Sequence, residues 1–146
     1  MDDPMMHRIS LVIPVYCGEK SLETLVGEIA PLTQEQTTPG GTCFKISEVL
    51  LVHDCGPDRS DRAIEFLSAQ YSFVRPVWLS RNYGQHAATL AGMASSTGDW
   101  IATIDEMGSK ILRILASCLI APWPDRYNLF TRNPRTHLLT VGCGMP

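Results

Sequence analysis

An α/β fold built on one mostly parallel sheet is predicted by three observations. Short, nearly continuous apolar runs recur along residues 8–106. Stretches with helical apolar spacing separate them, and each run ends in a cluster of polar residues and turn formers. Strands buried on both faces read as unbroken apolar runs, and strands alternating with helices imply parallel pairing through right-handed crossovers.

The first run, Ile9 to Tyr16, ends at Cys17-Gly18 and reads as a central strand. Ser21 is placed to cap a helix whose Leu22, Leu25, Val26 and Ile29 share one face and which runs towards Thr37, before Pro39-Gly40-Gly41. Glu48 to His53 forms a second strand, halted at Asp54-Cys55-Gly56-Pro57. Asp58 or Ser60 then caps a helix that turns Ala63, Ile64, Phe66 and Leu67 inward. Val74 to Leu79 is a third strand, His86 to Ser95 a helix of small residues, and Trp100 to Ile104 a fourth strand.

With 146 residues, 45% of them apolar and 18% charged, the chain has room for one globular core. Its net charge of −3 is unevenly spread: residues 1–106 hold fourteen acids and seven bases, whereas 107–146 hold one acid, Asp125, and five bases. The two parts read as not shaped together. No apolar run reaches the roughly 20 residues of a membrane span, because Arg113 breaks Ile111 to Ala121 and Pro122 closes it. Met1 to Arg8 lacks an apolar signal core, which points to the cytoplasm. Cys17, Cys43, Cys55, Cys118 and Cys143 are an odd set without zinc-site spacing and read as reduced, packed thiols. Cys17 and Cys55 follow strands and are also candidates for lining a pocket.

Ligands of parallel α/β sheets sit at the carboxyl ends of the strands. Tyr16-Cys17-Gly18-Glu19, His53-Asp54-Cys55-Gly56, Ser80-Arg81-Asn82 and Asp105-Glu106 all fall on that edge. Carboxylates and an arginine fork gathered there suit a metal-bound diphosphate, and so a nucleotide-activated substrate.

Four segments, Ile9-Ser-Leu-Val-Ile-Pro-Val-Tyr16, Val49-Leu-Leu-Val-His-Asp-Cys-Gly-Pro-Asp-Arg-Ser60, Leu79-Ser-Arg-Asn-Tyr-Gly-Gln-His-Ala-Ala88 and Thr97-Gly-Asp-Trp-Ile-Ala-Thr-Ile-Asp105, resemble the first half of a family 2 glycosyltransferase. The likeness is closest to the dolichol- or polyprenyl-phosphate sugar transferase branch. It implies a GT-A fold, a Rossmann-like and mostly parallel sheet that is incomplete here, with residues 8–106 as its nucleotide-sugar-binding half. It further implies transfer of a hexose from a UDP- or GDP-sugar to a lipid-phosphate acceptor, Mg²⁺ or Mn²⁺ as cofactor, and membrane association of the full-length parent.

By this resemblance the strand end Pro14-Val15-Tyr16 and Glu19 border the nucleotide. Asp54 accepts a hydrogen bond from the base or forms the turn before Gly56-Pro57, and the two readings are compatible. Arg81 reaches the base or diphosphate, or forms a surface ion pair, with Ser80 and Asn82 matching the family beside it. His53 replaces a commonly acidic residue and reads as a partly satisfied loop histidine, while Gln85 and His86 belong to the first turn of the next helix. Asp105 is the first carboxylate of the Asp-x-Asp element that touches ribose and metal. The second position is Met107, a thioether, and Glu106 points to the opposite strand face. The metal site is half built, and no catalytic residue is assigned.

A lost base near the codon for Glu106 accounts for this departure. Reading the last base of each codon with the first two of the next, Met107-Gly108 forces a glycine, and the surrounding codons permit Asp-Gly-Gln-Gln-Asp-Pro-Ala. Tyr127 to Thr136 likewise permits the family-like Gln-Leu-Val-Tyr-Ala-Lys-Pro-x-Asn. Residues 107–146 are therefore read as a divergent or out-of-frame tail, poorly ordered, in a chain truncated and catalytically impaired relative to its parent. Trp123, Tyr127 and Phe130 near Arg126 and Arg132 mimic a nucleic-acid stacking surface, but Pro122, Pro124 and Pro134 favour an irregular basic tail and no nucleic-acid partner. Ile111 to Ile120 is a short apolar segment able to pack on the open sheet edge. Two other readings are a non-catalytic fragment and a dinucleotide-binding oxidoreductase. The second is disfavoured because Cys17-Gly18-Glu19-Lys20 stands where a G-x-G-x-x-G turn is needed.

Overall fold

The computed structural model describes residues 6–37, 41 and 43–104, and the backbone of 137–138. Asp105, Glu106 and Met107, the apolar segment 111–120 and the aromatic and basic positions of the tail lie outside the described residues. The elements are β1 (His7–Val15), α1 (Leu22–Ile29), β2 (Gln36–Thr37), β3 (Cys43–His53), α2 (Ser60–Gln70), β4 (Val74–Trp78), α3 (Gln85–Ser95), β5 (Trp100–Thr103) and β6 (His137–Leu138).

The sheet runs β2-β3-β1-β5-β6, with β4 beside the upper half of β3. All pairings are parallel except β2 with β3. Strand β1 lies at the centre, and its alternate side chains feed two cores. Ile9, Leu11, Ile13 and Val15 join Val49 and Leu51 under α1 and α2, which contribute Leu22, Leu25, Val26, Ile29, Ile64 and Leu67. Val12, Leu50, Val52 and Ile101 meet Ala88 of α3 on the other face. Helix α3 comes close because of Gly92, where an added Cβ would stand 2.3 Å from Val12 Cγ1.

The expected order of strands and helices is present, with local differences. Helix α1 stops at Ile29 rather than running towards Thr37, because Pro31 ends it in a short 3₁₀ turn, Ala30–Thr33. Ser21 occupies the cap position, but its hydroxyl makes no capping bond and instead donates to Gly18 O at 3.5 Å. Strand β3 begins five residues earlier than expected. Its lower part alternates buried and half-buried positions, a pattern easily lost among Lys45, Ser47 and Glu48, whereas Val49 to Val52 are fully buried. In α2 the apolar face is Ile64 and Leu67 with partly buried Ala63, whereas Phe66, expected inward, is 59% exposed. Pro76 sits in the middle of β4, opposite Leu51.

At the amino end of the strands lies a buried carboxylate. The β1–β3 register shifts at Ile9/Ser10, setting Glu48 opposite Ser10. Glu48 is 5% exposed and accepts hydrogen bonds from Ser10 Oγ at 2.6 Å, Thr97 N at 2.6 Å and Thr97 Oγ1 at 3.1 Å, and it pairs with Arg75. Gly98 N donates to Ser10 Oγ at 2.8 Å, closing the link between β1, β3, β4 and the turn before β5. Burial pushes the Glu48 carboxyl up, but the donors from Ser10, Thr97 and Arg75 outweigh it and hold it below the ordinary glutamate range.

A group with a depressed folded pKa stabilises the fold above its unfolded pKa, and that stability is lost as pH falls through the folded value. Urea unfolding between pH 6 and pH 3 is expected to show falling stability on the acid side, and Glu48→Gln to flatten that dependence while lowering stability near neutrality by about 1–3 kcal/mol.

Candidate functional site at the carboxyl edge of the sheet

Three adjacent strands, β4, β3 and β1, deliver the loops that build this edge. The loop after β3 lies directly on the end of β1: Asp54 N donates to Val15 O at 3.0 Å, and a Cβ at Gly56 would fall 1.6 Å from Tyr16 O. Only glycine permits that approach. Cys55 between them takes a positive φ of 47° and donates its thiol to Leu79 O at 3.1 Å, tying this loop to the end of β4.

Asp58 joins the same loop to the β1–α1 turn. Its carboxylate accepts Glu19 N at 3.0 Å, Ser60 N at 3.1 Å and the Ser60 hydroxyl. Burial pushes this carboxyl up, and the Ser60 and Glu19 donors more than reverse it, leaving it lowered. Neither expected cap holds the cap position of α2, which falls to Arg59; Ser60 is the first helical residue, and its N–H and hydroxyl both donate to the Asp58 carboxylate. Ser60 Oγ also accepts Gly18 N at 2.9 Å.

The loop after β4 is held by Asp54. This carboxylate is 3% exposed and accepts Tyr83 N on Oδ1 at 2.8 Å and Gly84 N on Oδ2 at 3.1 Å. Gly84, with φ 96°, is the cap residue of α3, so the negative charge lies at the positive end of that helix. The chain bearing Ser80, Arg81 and Asn82 is thus pinned at its far end, and Leu79 N to His53 O at 3.1 Å pins its near end. Arg81 is exposed with its guanidinium carbon 4.7 Å from the Tyr83 ring centre, and Ser80 Oγ lies 3.1 Å from Tyr83 OH.

The structure brings Tyr16, Glu19, Asp54, Arg81 and Asn82 to this one edge, on neighbouring loops. Tyr16, Glu19, Arg81 and Asn82 are exposed. Pro14 and Val15 are buried, so they shape the strand end and present no exposed side chain. Asp105 lies outside the described residues, but Ile104 before it is bonded through its N–H to Val12 O at 3.1 Å beside β1. The surface-ion-pair reading of Arg81 is not met among the described residues, where the ion pairs are Arg8–Asp99 and Arg75–Glu48. His53 ends β3, its ring tilted against Trp78 at 5.4 Å with Nε2 buried and unbonded. Cys17 and Cys55 are exposed at the edge rather than packed, and Gln85 and His86 open α3 as expected. A groove between the starts of α1 and α2, with Glu19, Arg59, Arg62 and Phe66 in its lining, flanks the site.

Sequence reasoning missed Tyr83 and Gly84, the partners of Asp54. The signal was present as a glycine next to a helix start, where a positive φ and free amides are expected.

Residues 10–106 match the family described as glycosyl transferase family 2. The chain belongs to this family. Among curated family 2 relatives, an undecaprenyl-phosphate 4-deoxy-4-formamido-L-arabinose transferase of Klebsiella pneumoniae (strain 342) is 39% identical over 103 residues, covering 70% of this chain and 29% of that protein. Crystal structures of S. aureus TarS share the fold: residues 1–349 superpose with a TM-score of 0.55 at 20% identity over 75% of this chain and 31% of that one. The TarS complex with UDP gives 0.53 at 21% identity, over 68% and 27%. The chain spans less than a third of the length of these relatives.

Family 2 enzymes generally use a divalent cation. Among the described residues, no group of three or more His, Cys, Asp or Glu side chains could hold one. In the sequence Asp105-Glu106-Met107, outside the described residues, a thioether stands two positions after Asp105. Mg²⁺ and Mn²⁺ take oxygen donors, so Met107 supplies no ligand for them.

Replacing Asp54 by Ala leaves the Tyr83 and Gly84 amides without acceptors. Their hydrogen exchange, followed by NMR, is expected to accelerate roughly tenfold or more, with a stability loss of about 1–3 kcal/mol.

Proposed function

We propose that residues 8–106 are the nucleotide-sugar-binding half of a glycosyltransferase whose parent moves a hexose from a UDP- or GDP-sugar to a polyprenyl-phosphate-like acceptor. One observation carries this reading: Arg81, which pairs with no carboxylate among the described residues, stands on a loop fixed at both ends, at the sheet edge where α/β folds take their ligands. Its planar donors suit a diphosphate. Tyr16 offers an exposed ring on the same sheet edge for a base or ribose, with Asn82 and Glu19 as further polar contacts. Asp54 acts from behind the surface by holding the Arg81 loop. The name of the K. pneumoniae relative, and the UDP and UDP-GlcNAc complexes of TarS, support the substrate class.

A second reading is binding without transfer, favoured by Met107 at the position of the second Asp-x-Asp carboxylate. It follows from the proposed loss of one base near Glu106, which makes 107–146 an out-of-frame tail. In the alternative frame an Asp falls two positions after Asp105, and the family match stops at Glu106. Membrane contact of the parent would come through its lipid-phosphate acceptor; among the described residues no helix is long and apolar enough to cross a membrane.

Calorimetric titration with UDP, GDP and NAD, with and without Mn²⁺, tests the binding. UDP or GDP is expected to bind, and Arg81→Ala to weaken it by about tenfold; binding of NAD alone would overturn the assignment. Resequencing the codons around Glu106 tests the tail. A continuous alternative frame carrying family sequence is expected, and an early stop codon there would reject it.

A further inference from the structure

We infer that Tyr83 is a positioning residue, a π-face that holds the Arg81 guanidinium ready for the nucleotide diphosphate; this rests on the reading of Arg81 given above. A free arginine on an exposed loop samples many rotamers, and ordering it on binding costs affinity. Arg81 has the Tyr83 ring under it at 4.7 Å. The ring itself is fixed: its backbone N–H is bound to Asp54 Oδ1 at 2.8 Å, its hydroxyl lies 3.1 Å from Ser80 Oγ, and the next residue, Gly84, is bound to Asp54 Oδ2.

The choice of an aromatic support has a chemical consequence. A carboxylate support would occupy the donor fork of Arg81 and set negative charge beside the incoming diphosphate. An aromatic ring beside the guanidinium carbon brings no charge and no carboxylate oxygens, so the N–H donors stay available for phosphate oxygens. Tyr83 is 49% exposed, so the ring lies at the surface where a ligand arrives rather than in the core. Tyr83 therefore orders Arg81 without neutralising it.

The test is UDP affinity, by calorimetry, of the 146-residue chain and its variants Tyr83→Phe, Tyr83→Leu, Arg81→Ala and the Arg81→Ala/Tyr83→Leu double variant. Tyr83→Phe is expected to bind within twofold of wild type and Tyr83→Leu about two- to fivefold more weakly. In the Arg81→Ala background Tyr83→Leu should add no further loss, because the tyrosine acts through the arginine. Wild-type affinity in Tyr83→Leu overturns the inference, as does the same fold loss with and without Arg81. An Arg81→Ala variant that binds UDP normally removes Arg81 from nucleotide recognition and Tyr83 with it. A second measurement needs no ligand: the NMR ring-current shift of the Arg81 Nε–H is expected in wild type and Tyr83→Phe and absent in Tyr83→Leu. Its absence from wild type would overturn the positioning role even if UDP fails to bind.

Discussion

Asp54 is the constraint on which the functional edge depends. A carboxylate that is almost wholly buried needs donors, and here both come from backbone amides thirty residues along the chain, at the end of the β4–α3 loop. Burial makes those bonds necessary to the carboxylate, which cannot turn to water for replacements. They fix where α3 starts, and that fixes the loop carrying Arg81. The other side of Asp54 is equally committed, through its own N–H to the last residue of β1. One side chain and its peptide thus register three strands against each other.

The opposite end of the sheet uses the same device with different donors. Glu48 gathers a hydroxyl from β1, an amide and a hydroxyl from the turn before β5, and the guanidinium of Arg75 on β4. Between these two carboxylates the strands are apolar on both faces. Hydrophobic burial supplies most of the cohesion but is indifferent to small slips along a strand. The buried acids are not, because a slip of one residue would strand a charge.

The overall architecture was legible because strands buried on both faces announce themselves as apolar runs, and Ile9 to Tyr16 and Val49 to His53 are of that kind. The lower half of β3 was not, since half-buried Cys43, Lys45 and Ser47 dilute the signal. Phe66 misled because its i+3 spacing from Ala63 suggests the inner face of α2, whereas that face centres on Ile64 and Leu67, and Phe66 lies about 100° round the helix from Leu67 and stays exposed. At the candidate site, residue types pointed to the carboxyl edge of the sheet, where the structure gathers Arg81 and Asp54, both of them marked in the sequence. Their relation was invisible, because the partners of Asp54 are main-chain amides, and an amide has no letter in a sequence. The acidic element at Asp105 was legible only as a pattern broken at Met107.

Pro76 gives the sheet a direction. Beside β3 it occupies the middle of an outer strand, and having no N–H it denies a further strand one rung of any ladder on that flank. On the far flank β5 already accepts β6 in parallel at Trp100 and Ile101. The sheet thus extends in one direction, through β5 to β6, with the proline-bearing border remaining a terminus.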